Sequence, residues 1–309
     1  MEASSLGLML LAVLSGVCLS IIGVAFKIGQ SRNVTPLYIS MCMGIAGALF
    51  FGVQMDWSEL GDLPTIVWVF ALLNASGQIV AMYLVNVCLK LGPLSPLWAA
   101  MNLTFLPVIL YSAILFGEPV TGMQFAAVAA GILTVAFASQ MTTGGGAAGE
   151  KEKSAFPMKA KLSYGIYLLV ILLSNSIVFI TIKDLGTRPL AAGMDVTILG
   201  RYLAPIYFTL YVGLALFTGT AGYLQKVKPK RWGDLVKLGL LAALGSISGL
   251  LLLKVCIPLP AALVFTISGV ITIISGAIAS ILFFREKIFW AWYATVGAGV
   301  LAVILANLG

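Results

Sequence analysis

Apolar residues run through the chain in ten long blocks, near 6–27, 35–54, 64–89, 93–116, 120–140, 162–182, 196–219, 235–254, 259–284 and 288–308, and almost all charge falls between them. A helix needs roughly 20 apolar residues to cross a bilayer, so each block is long enough for one crossing. Inside hydrocarbon the backbone must satisfy its own polar groups, which makes the blocks helices. The expected fold is an all-α integral membrane protein with ten transmembrane helices. Composition agrees: 61% of the 309 residues are apolar, 9% are charged, and the mean hydropathy is +1.07. No sizeable soluble domain fits in the remainder.

One connection has linker composition. Thr142 to Ser154 contains Gly144-Gly145-Gly146 and then Glu150-Lys151-Glu152-Lys153, and it divides the chain into five blocks and five blocks. The expected organisation is a first unit at 1–141, a flexible linker at 142–158 and a second unit at 159–309. Sliding the sequence 168 residues along itself aligns Leu72/Leu240, Ala75/Ala243, Gly77/Gly245, Val87/Val255 and Cys88/Cys256 in one window. Ser112/Ser280, Phe116/Phe284, Glu118/Glu286, Gly131/Gly299 and Leu133/Leu301 align in a second window at the same offset. A unit with an odd number of crossings, repeated once, enters the membrane from the opposite side the second time. The fold expected is therefore two inverted five-helix repeats, an architecture from which many secondary transporters build a midplane site.

The charged residues narrow the chemistry. All eleven acids are placed at termini, connections or helix ends, and histidine is absent, which removes the commonest general base and metal ligand. No enzymatic activity, metal or cofactor is expected. Cys18, Cys42, Cys88 and Cys256 form no Cys-x-x-Cys pair and read as packing residues. The net charge of +7 resides in short loops, which is an orientation signal and gives no nucleic-acid partner. The N-terminus lacks a basic residue before its apolar block, so no cleavable signal peptide is expected.

The stretch LGPLSPLWAAMNLTFLPVILYSAILFGEPVTGMQFAAVAAGILTVAF, Leu91 to Phe137, and its echo SILFFREKIFWAWYATVGAGVLAVIL, Ser280 to Leu305, resemble repeats of the EamA type in the drug/metabolite transporter superfamily. The resemblance extends to the five-plus-five layout and to a Gly-Glu-Pro hairpin before the last helix of the first half, which becomes Arg285-Glu286-Lys287 in the second. It implies a central cavity between the first four helices of each half, with the fifth and tenth at the periphery. The acidic residue in the first helix of the small multidrug relatives has no match between Leu6 and Phe26.

Fourteen Lys and Arg fall in the odd-numbered connections and three in the even ones, Lys183, Arg188 and Lys254. This bias places the odd connections in the cytoplasm and both termini on the extracytoplasmic side of a cell (inner) membrane. Trp68, Trp98, Trp232, Trp290 and Trp292 near helix starts form an interfacial belt.

Polar residues inside the blocks are costly and are therefore candidates for ligand contacts. Arg201 is the most deeply placed charge. Pro205 cannot donate to its carbonyl, so a guanidinium and a freed carbonyl share one position, suited to a carboxylate. Its long side chain also reaches the interface, where Asp195 or lipid phosphate would pair it, and both readings stay open. Pro107 similarly frees the Leu103 carbonyl beside Asn102 and Thr104. Asn74 and Gln78 share a face of the third helix, with Tyr83 farther along, and Asn175 lies in Ser174-Asn175-Ser176. Each amide is either a ligand contact or an interhelical hydrogen bond. Gly44, Gly47, Gly297 and Gly299 read as packing contacts. Glu118 and Glu286 read as helix caps, and Lys27 and Lys183 as interface anchors.

The reading is a secondary transporter in the lipid bilayer that moves a small polar metabolite, carboxylate-bearing like an amino acid, by alternating access. Arg201 would hold the anionic group, with Asn74, Gln78, Asn102, Asn175, Tyr202 and Tyr83 around the substrate. A neutral sugar or a quaternary amine as cargo, a lipid-modifying enzyme, and a non-transporting membrane scaffold are the alternatives; a homodimer is admitted. With no acid placed deep in a block, facilitated diffusion or exchange is favoured over proton symport.

Overall fold

The computed structural model describes residues 2–32, 34–91, 100–141, 158–191, 196–226, 232–284 and 290–308. Ten α-helices fill these residues: α1 Glu2–Ser31, α2 Pro36–Gln54, α3 Thr65–Leu91, α4 Phe105–Leu115, α5 Gly122–Met141, α6 Met158–Ala191, α7 Val196–Leu224, α8 Trp232–Val255, α9 Ala261–Phe284 and α10 Trp290–Leu308. A short 3-10 turn, Trp57–Asp62, joins α2 to α3. No strand occurs among the described residues, and seven helices, α1, α2, α3, α6, α7, α8 and α9, are long and apolar enough to cross a membrane. The proposed linker lies almost wholly outside the described residues, as do Asp195, Glu286 and Trp98.

Length and polarity put these helices in lipid. Leu6, Leu10, Leu14 and Val17 line one side of α1 with 41% to 61% of their surface exposed, while Ser15 and Ser20 of the same helix are buried. A soluble helix would turn that pattern inside out. The exposed Trp232 and Trp290 stand at the starts of α8 and α10, as interfacial anchors do.

Packing runs mainly between the halves of the chain. α1 lies on α8 and α9, and α6 lies on α3 and α4; α2 packs along α7, and α5 along α10, with both of the latter also touching α9. The main core accordingly joins Ile39, Met43 and Phe51 of α2 to Leu203, Ile206, Tyr207 and Tyr211 of α7, with Ala242 and Leu250 of α8 and Ile182 of α6. Two crossings share one construction. A Cβ placed on Gly77 of α3 would stand 2.7 Å from the Ser174 carbonyl of α6 and beside Ile177. A Cβ on Gly245 of α8 would stand 2.6 Å from the Cys18 carbonyl of α1 and beside Ile21. Gly44 and Gly47 lie directly against α7 at Tyr211 and Ala215, and Gly299 lies against Val270 and Ile274; Gly297 meets nothing, so its reading as a packing residue is corrected.

The break expected near Pro107 is present. The chain is helical at 100–102, turns at Leu103 and Thr104, and restarts as α4. The Leu103 carbonyl, expected to be freed by Pro107, instead accepts the Leu106 N–H at 3.0 Å, and the neighbouring Thr104 carbonyl accepts from Ser176 Oγ of α6 at 3.1 Å, a hydroxyl that also reaches the Leu172 carbonyl at 2.7 Å. A backbone break inside an apolar bundle is tolerated when a neighbouring hydroxyl satisfies it.

Candidate functional site

The most polar part of the interior lies where α4, α6 and α9 meet, at the end of the bundle that carries the even-numbered connections. Lys183 and Asp184 of α6 are 3% and 0% exposed, the only charged side chains that are buried among the described residues. This corrects the expectation that Lys183 is an interface anchor and that no acid lies deep. α6 continues to Ala191, nine residues beyond the apolar block that ends at 182, so its last turns pull both charges inside.

Lys183 Nζ pairs with Glu118 Oε1 at 2.5 Å and stands 3.2 Å from the Leu259 carbonyl and 3.5 Å from that of Ile257. The other oxygen of Glu118 accepts the Ala261 N–H at 2.9 Å, the first residue of α9. Glu118 is a helix cap, but of α9 rather than of the helix that follows it. α5 is capped by Thr121 and Gln124, whose side chains exchange hydrogen bonds with each other's N–H at 3.1 and 3.2 Å. Tyr111 of α4 donates to Asp184. One carboxylate from the α4–α5 connection thus holds α6 and the start of α9 together. Removal of either charge leaves the other uncompensated in a medium that solvates it poorly.

Arg201 sits at the opening turns of α7, half-exposed, and pairs with Glu59 Oε2 at 2.7 Å. The partner that the structure gives it is Glu59; Asp195, the partner expected from the sequence, lies outside the described residues. Glu59 is presented by the 3-10 turn, whose N-cap Asp56 accepts from Ser58 Oγ at 2.6 Å and from Ser58 N at 3.0 Å. These two bonds hold the Asp56 carboxyl below the usual carboxylate range, and Arg201 adds to the effect. An exposed pair of this kind contributes about 0–1 kcal/mol.

The remaining candidates divide by depth. Asn74 is fully buried; its Nδ2 donates to Thr181 Oγ1 of α6 at 2.7 Å and to the Phe70 carbonyl at 2.9 Å, while its Oδ1 has no partner. Gln78 is 9% exposed on the same helix. Asn102 lies beside the α4 break, and Asn102 and Asn175 are both half-buried. Tyr202 packs against the main core. Tyr83 is 41% exposed, edge-on to Phe217 with ring centroids 6.0 Å apart. Asn74 therefore faces α6 in the interior, whereas Tyr83 is exposed on the outside of the bundle and Arg201 lies at one end.

Reasoning from sequence alone missed Lys183, Asp184, Tyr111 and the cross-bundle role of Glu118. The available signal was the adjacent pair of opposite charges, Lys183-Asp184, in a chain with only 9% charged residues.

No curated protein matches the chain. A solved structure described only as the crystal structure of a protein aligns over 99% of this chain and 97% of its own at a TM-score of 0.66, with 14% sequence identity. At that identity the likeness is one of fold. Residues 6–140, which take in the first five helices, match the EamA-like transporter family.

Proposed function

We propose that the chain is a ten-crossing secondary transporter of two inverted five-helix repeats, which carries a small polar, carboxylate-bearing metabolite by alternating access. The paired glycine crossings carry this reading. Gly77 meets Ser174 and Ile177, and Gly245 meets Cys18 and Ile21. Exchanging the halves at the 168-residue offset turns the first glycine into the second, and a constant shift between α1 and α6 turns the first pair of partners into the second. The same exchange relates α1 on α8 to α6 on α3, and α1 on α9 to α6 on α4. Such a bundle opens to one side by rocking one set of helices against its counterpart.

In this reading the amides Asn74, Gln78, Asn102 and Asn175 supply neutral hydrogen bonds along the route. Arg201 stands at the even-connection mouth, where Glu59 holds the guanidinium until a substrate carboxylate replaces it. A neutral polar cargo is the second reading, favoured by the fully buried, uncharged Asn74.

Amino acids added to the purified protein are expected to raise its melting temperature. A ligand at 100 times its Kd contributes about 2.7 kcal/mol to the stability of the state that binds it. With Arg201→Gln the amino-acid shift is expected to vanish while the unliganded melting temperature changes little, because the Glu59 pair is exposed. An undiminished amino-acid shift in Arg201→Gln removes Arg201 from the carboxylate site, and a shift with neutral sugars but none with amino acids selects the neutral cargo; no shift with any metabolite tested sinks the carrier reading.

The orientation in an inner membrane follows from the Lys and Arg bias of the connections. A tag on the C-terminus is expected to be reached by an impermeant label in intact cells, and a tag labelled only after lysis reverses the assignment.

A further inference from the structure

The main core holds two polar atoms that the protein itself does not satisfy. Asn74 is 0% exposed and Tyr207 1%, yet neither Asn74 Oδ1 nor the Tyr207 hydroxyl has a hydrogen-bond partner. Such atoms give up water and receive nothing in return, which is why buried polar groups are ordinarily paired. The orientation of Asn74 is fixed by its neighbours. The Phe70 carbonyl can only accept, and Thr181 donates its own hydrogen to the Ile177 carbonyl at 2.8 Å, so both receive from Nδ2 and the oxygen is left over. Tyr207 is held as firmly. Its ring packs on Phe51 with centroids 4.9 Å apart, and Tyr211 stacks on the same Phe51 while its hydroxyl is bonded to Ser246 Oγ at 2.7 Å.

The two atoms share one region. Ala71 on α3, Val178 and Ile182 on either side of Thr181, and Ile206 and Leu210 around Tyr207 belong to the same core. Gly213 of α7 lies against Ala75 and Ile79 of α3, and Phe217 against Tyr83, so the two helices run in the same direction. Tyr207, six residues before Gly213, therefore falls within about one turn of the level of Asn74. Ser112, Thr187 and Thr266 also hold unpartnered hydroxyls, but a small hydroxyl on a helix reaches the carbonyl four residues back by turning about one bond, as Thr134 and Thr218 do. A phenol on a fixed ring cannot. The unpartnered Asn86 Nδ2 lies twelve residues beyond Asn74, about 18 Å along the axis.

We propose that Asn74 Oδ1 and the Tyr207 hydroxyl form a binding site for an uncharged polar group of the cargo, one that donates a hydrogen bond to Asn74 and accepts one from Tyr207. A hydroxyl or a carboxamide has that chemistry. The inference rests on the transport reading above and adds to it the property by which the cargo is selected. A charged group suits the position badly, because Lys183 and Asp184, the only buried charged side chains among the described residues, are already engaged by Glu118 and Tyr111. Both atoms are closed off from solvent here, so the group reaches them as one end of the bundle opens. In an amino acid the selected group lies on the side chain, and uncharged polar side chains are preferred over apolar or charged ones of the same shape.

The test follows the melting temperature of the purified full chain during titration with matched amino acids, threonine against valine and glutamine against glutamate. At least one polar member is expected to act at a concentration at least about tenfold below that of its partner, since a site built to hydrogen-bond a group rejects the analogue that lacks it. Tyr207→Phe keeps the ring on Phe51 and removes an atom without a partner. Unliganded, it is expected to melt no lower than wild type, and its affinity for the polar amino acid should fall roughly three- to tenfold, the worth of one neutral hydrogen bond. A hydroxyl that served only the fold would do the reverse, lowering the unliganded melting temperature and leaving the affinity alone. If only a sugar binds, its hydroxyls take the same two atoms and Tyr207→Phe decides in the same way. An affinity unchanged in Tyr207→Phe overturns the proposal, as do valine and glutamate that match their polar partners, and either result leaves the carrier intact. No shift with any amino acid or sugar defeats the carrier reading and this site with it.

Discussion

Replacing Lys183 with methionine is expected to destabilise the folded bundle by about 3–5 kcal/mol, the usual consequence of leaving one member of a buried ion pair without its partner. The methionine fills much of the same volume, so the loss comes from charge rather than from a cavity. Glu118 keeps the Ala261 N–H but faces the space vacated by the ammonium, and Asp184 next to it stays buried with Tyr111. Adding Glu118→Gln to Lys183→Met should recover part of the loss, because the neutral amide still accepts from Ala261 and no longer strands a charge. The thermal unfolding of the four proteins in a double-mutant cycle checks this. Additive losses would show that the two side chains do not act on each other.

Gly77→Ala and Gly245→Ala are each expected to cost about 1–3 kcal/mol, the range for forcing extra volume into a packed interface. Each new Cβ would stand against a backbone carbonyl, 2.7 Å from Ser174 O and 2.6 Å from Cys18 O. A side chain at those places would rotate away, but a helix backbone moves only with its whole helix. The two variants should therefore lose similar amounts of stability, whereas Gly297→Ala should lose none, since its Cβ meets nothing within 4 Å. Melting temperatures in one detergent decide the matter. A tolerated alanine at either position would mean that α3 or α8 stands farther from its partner than described.

The helices were legible in the sequence because hydropathy acts on each residue locally: the blocks near 35–54 and 235–254 became α2, Pro36–Gln54, and α8, Trp232–Val255, almost without adjustment. The break at Leu103 was legible for the same reason, since Pro107 removes one donor wherever the helix lies. Lys183 and Asp184 were misplaced because hydropathy assigns every charge to the nearest surface. Their burial depends on Glu118 and Tyr111, which are distant in the chain. Gly77 and Gly245 were visible as an aligned pair, but their neighbours on α6 and α1 were not. Arg201 was recognised as the charge to explain, yet its partner comes from a six-residue 3-10 turn that periodicity does not register.

The pairing of α2 with α7 imposes an order of events during synthesis. Phe51 of α2 stacks against Tyr211 and leans on Tyr207, which emerge about 150 residues later. At roughly 5–20 residues per second, the early helices wait on the order of ten to thirty seconds before their counterparts are made. During that interval Phe51 and Ile39 face lipid or the insertion machinery, which are apolar enough to shelter them, while Asn74 stands without Thr181. The nascent chain is therefore most vulnerable at its buried amide, and a helper that shields polar groups within the bilayer would matter more to its maturation than one that shields greasy ones.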